Sequence, residues 1–386
     1  MKKQTSIILA ILMTIGTTAC GQNVTDQAKP ATPKAALTEH DQLRQDIGEM
    51  LLVGFRGTTI DENSVIVRDI TQYHVGSVIL FEYDAPSGTR HRNIESPQQV
   101  RQLCQDLQKY AKGHLLIGVD QEGGMVTRLR SQDGFPKTLS AQASAQAGEK
   151  NVVENALVIA QELSKAGINL NFAPCVDVNT NPNCPIIGKL ERSFSSNPAV
   201  VAQYARLWID VHQKEGIVSC IKHFPGHGSA SGDTHAGLVD VTKTWQECAL
   251  KPYRELIDGG IVEMVMVAHV INRNLGDELP ASLSPVIVRE RLRNEYGFKG
   301  VIVTDDLAMG AIAKQYGLEE ALKMAILAGC DMLCLSNNGG GTYDPELVPH
   351  AVEAISQMVE RGELSAEDIH ASAERIRALK KAHSLK

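Results

Sequence analysis

Eight short apolar runs set the frame of this chain, and most of them stop at a polar or charged residue. They are MLLVGF (50–55), GSVILF (76–81), LLIGVD (115–120), INLNFAPCVD (168–177), IVSCIKH (217–223), MVMVAHV (264–270), GVIVTDD (300–306) and DMLCLS (331–336). Between them lie amphipathic stretches such as SPQQVRQLCQDLQKYA (96–111), NPAVVAQYARLWIDVHQKEG (197–216) and SPVIVRERLRNEYG (284–297). Each opens on Ser or Asn followed by Pro, and the last two close on Gly, as helix start and stop signals do. Near-continuous apolar strands alternating with helices imply a parallel sheet covered by helices. Eight such strands in about 290 residues predict an α/β fold with a single closed (β/α)8 barrel of the TIM type; an open doubly wound sheet is the alternative. No Gly-x-Gly-x-x-Gly follows the first strand, so a dinucleotide fold has no support.

A barrel of this kind builds its chemistry at the C-terminal strand ends. Here those ends carry Asp120 after strand 3, Asp177 after strand 4, Lys222 and His223 after strand 5, His269 after strand 6, and Asp305 with Asp306 after strand 7. The segment KHFPGHGSASGDTH (222–235) adds three of the chain's twelve histidines, His223, His227 and His235. His223 and His227 have the four-residue spacing of a helical zinc pair. Pro225, Gly226 and Gly228 deny the segment a helical register, so it reads as a loop over the barrel mouth. Neither Cys-x-x-Cys nor a carboxylate cluster accompanies it, and no metal or cofactor is expected. Asp233 and His235 stand two apart, which in an extended segment points both side chains the same way. A carboxylate so placed fixes the tautomer of a proton-transfer histidine. His227 and His269 read as hydrogen-bonding support, and Asp306 as a strand-end cap.

Composition bears on partners. The net charge of −7 becomes more negative by two once the segment holding Lys2 and Lys3 is removed, which disfavours a nucleic-acid partner. The N-terminus, MKKQTSIILAILMTIGTTAC, has the layout of a secretory signal over residues 1–19. Its apolar run is too short for a permanent membrane span. Ending at Cys20, it is similar to bacterial lipoprotein signals, in which that cysteine is lipidated, although Thr17 stands where such signals usually have Leu. Residues 20–42 are polar and aperiodic, suiting a flexible linker to a folded domain over 43–386. The expectation is an exported protein of the periplasm or cell envelope, monomeric, touching membrane only through a lipid anchor. Cys175, Cys220, Cys330 and Cys334 fall in apolar runs and read as core residues.

KHFPGHG followed by DTH, with GVDQEGG (118–124), RSFSSNP (192–198) and VIVTDDLAM (301–309), resembles glycoside hydrolase family 3, in its β-N-acetylhexosaminidase branch. The likeness runs from about Leu43 to the C-terminal helix. It implies a retaining glycosidase, working through a glycosyl-enzyme, on carbohydrate carrying terminal β-linked N-acetylglucosamine: peptidoglycan fragments, chitooligosaccharides or glycans. Carried over by position, Asp305 matches the nucleophile and His235 the general acid/base, oriented by Asp233. Lys222, His223, Arg192 and Asp120 match sugar-binding residues. A histidine donor departs from the two-carboxylate pattern of most glycosidases. Between Phe81 and Arg92 the chain inserts EYDAPSGTRH (82–91) where the branch passes almost directly onward. Alternatives are a family 3 β-glucosidase, a phosphorylase-type activity on N-acetylglucosaminides, a metal-dependent hydrolase, and a glycan-binding lipoprotein without turnover.

Overall fold

The computed structural model describes residues 38–339 and 341–383. The signal, Cys20 and all but the end of the predicted linker lie outside the described residues. The eight expected strands are all present: β1 (Leu51–Gly54), β2 (Ser77–Ile79), β3 (Leu116–Val119), β4 (Leu170–Asn171), β5 (Val218–Phe224), β6 (Met264–Val267), β7 (Val301–Thr304) and β8 (Leu333–Leu335). Each pairs in parallel with the next, and β8 pairs with β1 through Leu51 beside Leu333. A bridge from Val303 to Met332 joins β7 to β8 and completes the circle. Every residue of these strands is buried. That is why they read as unbroken apolar runs rather than alternating ones: the barrel interior fills one face and the helical ring covers the other.

The helices follow their punctuation. Ser96 accepts a hydrogen bond from the Gln99 amide and starts α3 (Pro97–Tyr110), while Asn197 accepts from Ala199 and starts α6 (Pro198–Lys214). The stretch predicted over 284–297 winds as a π-helix from Val286 to Glu295. No described helix is long and apolar enough to cross a membrane.

Two sequence readings need correction. The folded domain starts before residue 43: α1 (Glu39–Glu49) begins inside the predicted linker, with the Thr38 hydroxyl accepting from the Asp41 amide. Its first turn is entirely polar, so nothing apolar marks it; its buried side, with Ile47, appears only later. Strand 5 runs through Lys222, His223 and Phe224, so these three belong to the sheet and the loop starts at Pro225. The Phe224 ring packs edge-on against Tyr253 and Tyr296, and its carbonyl accepts from the Ala268 amide. The inserted residues 82–91 fold as a small antiparallel hairpin, Tyr83–Asp84 against Thr89–Arg90, which borders the barrel mouth.

Candidate active site

A cavity of about 480 Å³ opens at the C-terminal strand ends. Asp120 beyond β3, Asp305 and Asp306 beyond β7, and His235 from the loop after β5 all line it, so residues separated by up to 186 positions in sequence meet on one face. Asp120 is the visible end of a buried ionic chain. The Lys222 ammonium donates to Asp120 at 2.7 Å and reaches Glu122 at 2.8 Å. Arg192 grips the same Glu122 with two bonds, Nε at 2.8 Å and Nη2 at 2.7 Å. Two cations and two carboxylates thus neutralise one another out of water, a bidentate geometry that suits guanidinium.

The charge states follow from that packing. Burial works against the ions, but Lys222 and Arg128 hold the Asp120 carboxyl below its ordinary value, and Arg192 and Lys222 do the same for Glu122. Burial would lower the Lys222 ammonium; Asp120 and Glu122 instead push it up to about 12. These groups stay charged through the physiological range.

Behind them, Arg192 Nη2 donates to His223 Nε2 at 3.2 Å, and His223 Nδ1 lies 2.6 Å from Asp177. Because a guanidinium only donates, Nε2 accepts and the ring proton sits on Nδ1, donated to Asp177. Cys175, Asp177 and His223 come close enough together to suggest a metal triad. The donor set does not fit one. The Nδ1 lone pair a metal would need carries the proton, and Asp177 already accepts from the His227 amide at 2.6 Å and from the Cys175 thiol. The thiol is driven well up by burial and stays protonated.

Asp305 is positioned by the backbone: its amide donates to Val267 of β6 at 2.9 Å, and its Oδ1 accepts from the Asp306 amide. Burial alone would raise this carboxyl, but the neighbouring imidazoles of His269, His223 and His235 hold it down at about 2. Asp306 lines the same cavity, but its carboxylate is already engaged. Its oxygens accept from the Ala308 amide and from the amide and hydroxyl of Ser336, pinning the β7 end to the β8 end. His269 bridges Ser282 Oγ at 2.7 Å and the Asp306 carbonyl at 2.9 Å, so its Nε2 carries a proton donated to that carbonyl. Burial lowers His227 to about 4, and its ring reaches only Thr234 Oγ1, at 3.4 Å.

Asp233 and His235 do meet, by a different geometry from the one the sequence suggests. The segment is a turn, closed by the Ala236 amide on the Asp233 carbonyl at 3.0 Å. Asp233 Oδ1 accepts both the His235 amide at 2.9 Å and its Nδ1 at 2.7 Å, an Asx turn that clamps backbone and ring together. Burial would raise the Asp233 carboxyl; these two bonds hold it below its ordinary value.

The predicted residues therefore divide by depth. Asp120, His235 and Asp305 stand on the cavity wall, Asp233 backs His235, and Lys222 reaches the wall through Asp120. Arg192 and His223 sit one layer behind. Sequence reading passed over Glu122, which both cations share. A signal was there: Glu122 lies two residues after Asp120 within GVDQEGG, so an extended start would aim both carboxylates the same way. The two glycines after it make the return turn, at φ +94° and +61°, and a Cβ on Gly123 would lie 2.2 Å from the Leu139 carbonyl oxygen. Also passed over were Arg128 and Arg130, which close the wall against the hairpin carboxylate Glu82, with Arg130 Nε donating to it at 3.0 Å.

Known proteins align with this arrangement. The family model described as glycosyl hydrolase family 3 N terminal domain matches residues 42–379. The beta-hexosaminidase of Tolumonas auensis is 38% identical over 299 residues, spanning 75% of this chain and 84% of its own. Beta-hexosaminidase A of Pseudoalteromonas piscicida is 32% identical, covering 81% of this chain and 54% of itself. Among solved structures, a family 3 beta-N-acetylglucosaminidase from Paenibacillus sp. str. FPU-7 superposes with a TM-score of 0.80 at 36% identity, over 91% of this chain and 63% of that one. The beta-N-acetylhexosaminidase from Beutenbergia cavernae gives 0.78 at 27% identity, over 90% of this chain and all of the other. With the family model spanning nearly the whole barrel, the chain belongs to glycosyl hydrolase family 3.

Proposed function

We propose that this protein is an exported, retaining β-N-acetylhexosaminidase that removes terminal β-linked N-acetylglucosamine from peptidoglycan fragments, chitooligosaccharides or glycans. One observation carries the mechanism: an ionised Asp305 and an Asp233-backed His235 line the same cavity. The other carboxyls there are occupied. Asp120 is paired to Lys222, Glu82 to Arg130, and Asp306 to Ala308 and Ser336. The role of proton donor falls to His235, whose Nδ1 faces Asp233 and whose Nε2 remains for the substrate.

In the first step Asp305 attacks the anomeric carbon, the glycosidic bond breaks, and the leaving oxygen takes a proton from the His235 imidazolium. In the second, the now neutral His235 accepts a proton from water, whose oxygen displaces Asp305 and returns the β-sugar. Lys222 and Asp120 hold hydroxyls of the bound ring, while Arg192 and His223 support them from behind. The relatives' names supply the acetamido sugar.

A slow 2-fluoro aryl glycoside tests the reading, because fluorine destabilises the oxocarbenium-like transition state and strands the intermediate. Peptide mapping should place the label on Asp305, with turnover of aryl β-N-acetylglucosaminide exceeding that of β-glucoside. A label on Asp306, or none while Asp305→Ala keeps its rate, refutes the mechanism. Export and anchoring are tested separately: Cys20→Ser should release the protein from membranes without altering its activity.

A further inference from the structure

The loop bearing His235 and the segment bearing Asp305 come from different strands, yet the separation of their reacting atoms has to be held to a fraction of an ångström for acid and nucleophile to act together. The His235 side chain is 68% open to solvent, so packing around the ring does not hold it in place. What does hold it is a set of contacts with the start of α8 (Gly310–Ala313). The Ala311 amide donates to the Thr234 carbonyl at 3.1 Å, the Gly310 amide to the His235 carbonyl at 3.3 Å, and the Lys314 ammonium to the Ala236 carbonyl at 2.9 Å. Three consecutive carbonyls centred on His235 are each taken by this one segment.

The same segment is tied closely to Asp305. Between them run four residues, 306–309, in which Asp306 donates to Asp305, Ala308 to Asp306, and Met309 to the Asp306 carbonyl, while the Leu307 amide reaches Cys334 of β8. Gly310 is where the two parts touch. A Cβ there would lie 2.6 Å from the His235 carbonyl oxygen, closer than real contacts allow, and 3.2 Å from the carbonyl of Ala236, which is tight. Its φ is not in the left-handed region, so the backbone accepts any residue; only the loop excludes a side chain.

We propose that Gly310 and Lys314 are positioning residues that set His235 at its working distance from Asp305. The inference rests on the reading of His235 as proton donor. It makes a specific mutational prediction, because the backbone at Gly310 is unstrained and an Ala side chain there is opposed only by the loop that carries His235. Its damage should appear in proton donation alone.

The experiment measures kcat/KM on a pair of aryl β-N-acetylglucosaminides, one with an activated dinitrophenyl leaving group and one with plain phenyl, for wild type, Gly310→Ala, Lys314→Met, Lys314→Arg and His235→Gly, alongside circular dichroism. The expected result for Gly310→Ala is a folded enzyme by circular dichroism with a loss of about tenfold or more on the phenyl substrate, within the range set by general acid catalysis. The dinitrophenyl substrate should be nearly unaffected. Lys314→Met should show a smaller version of the same split, restored by Lys314→Arg. If His235→Gly shows the split and Gly310→Ala loses both substrates equally or neither, the positioning role is overturned and the donor assignment stands. If His235→Gly itself shows no split, the donor assignment fails and this proposal with it.

Discussion

The floor and the rim of the cavity are built on opposite plans. The floor is a chain of buried ions, Asp120, Lys222, Glu122 and Arg192, in which each charge has its partner within 2.8 Å. The rim is a solvent-exposed turn, Asp233 and His235, held by backbone carbonyls and one Asx turn. Fully desolvated pairs are rigid and costly to break, whereas exposed pairs contribute little to stability. The contrast fits the proposed division of roles. A floor that must not move can hold sugar hydroxyls, and a rim that must admit an aglycone and then water can carry the proton.

Breaking the two parts should therefore give different signatures. The largest effect belongs to Asp305, at the junction: Asp305→Ala should cut kcat by roughly 10⁴-fold or more, with the fold intact by circular dichroism. Asp306→Ala should instead act on the β7–β8 joint, lowering Tm.

Glu122→Ala comes next, and sharpens the contrast most. It leaves Lys222 and Arg192 buried beside each other with one carboxylate fewer, at a cost of about 3–5 kcal/mol in urea unfolding. A stability within 1 kcal/mol of wild type would show that water enters the floor and that the contrast is false. His235→Gly should do the reverse, losing about 10²–10⁴-fold on poor leaving groups while stability changes by less than ~0.5 kcal/mol. Asp233→Ala should fall on the same side, with about a tenfold loss as the ring loses its tautomer partner, and no loss on activated substrates.

The smallest effect is on acid stability. His212, under the floor, donates from Nδ1 to the Trp208 carbonyl at 3.1 Å and accepts at Nε2 from Asn171, so it is buried neutral, and burial lowers it to about 4. His227 behaves likewise. Between the unfolded histidine value of 6.5 and about 4, the unfolded chain binds more protons, so stability falls as pH drops through that window. The floor carboxylates, depressed in the folded state, add a further loss only below the ordinary carboxylate range. A Tm profile should decline from about pH 6.5 downward, and His212→Gln should flatten its upper part. A profile flat to pH 5 would mean that these rings protonate without unfolding.

The aim of the Asp233–His235 pair was legible, and its means were not. The spacing of two suggested a shared face on an extended segment; the same two residues meet through a turn instead, because an Asp side chain can mimic a backbone acceptor. The polar strand ends also marked the face of the site, and Asp306, read as a strand-end cap, does bond across to Ser336 at the neighbouring strand end.

By itself the sequence determined what depends on near neighbours. Buried parallel strands need unbroken apolar runs, helices need caps and Gly stops, and so the barrel, its eight strands and the face carrying its chemistry were all readable. The tertiary structure alone decided what depends on residues far apart in the chain. Lys222 meets Asp120 across 102 positions and Arg192 meets Glu122 across 70, so neither the sharing of Glu122 nor the depth of Arg192 and His223 leaves a local trace. The same holds for the docking of α1, whose Asp46, near its end, accepts bonds from Arg377 and His370 of the last helix, more than 300 residues away. Local pattern is fixed by short-range sterics and hydrophobic period; charge pairing in a low-dielectric interior is fixed by closure of the barrel, which brings those groups together and removes the water between them.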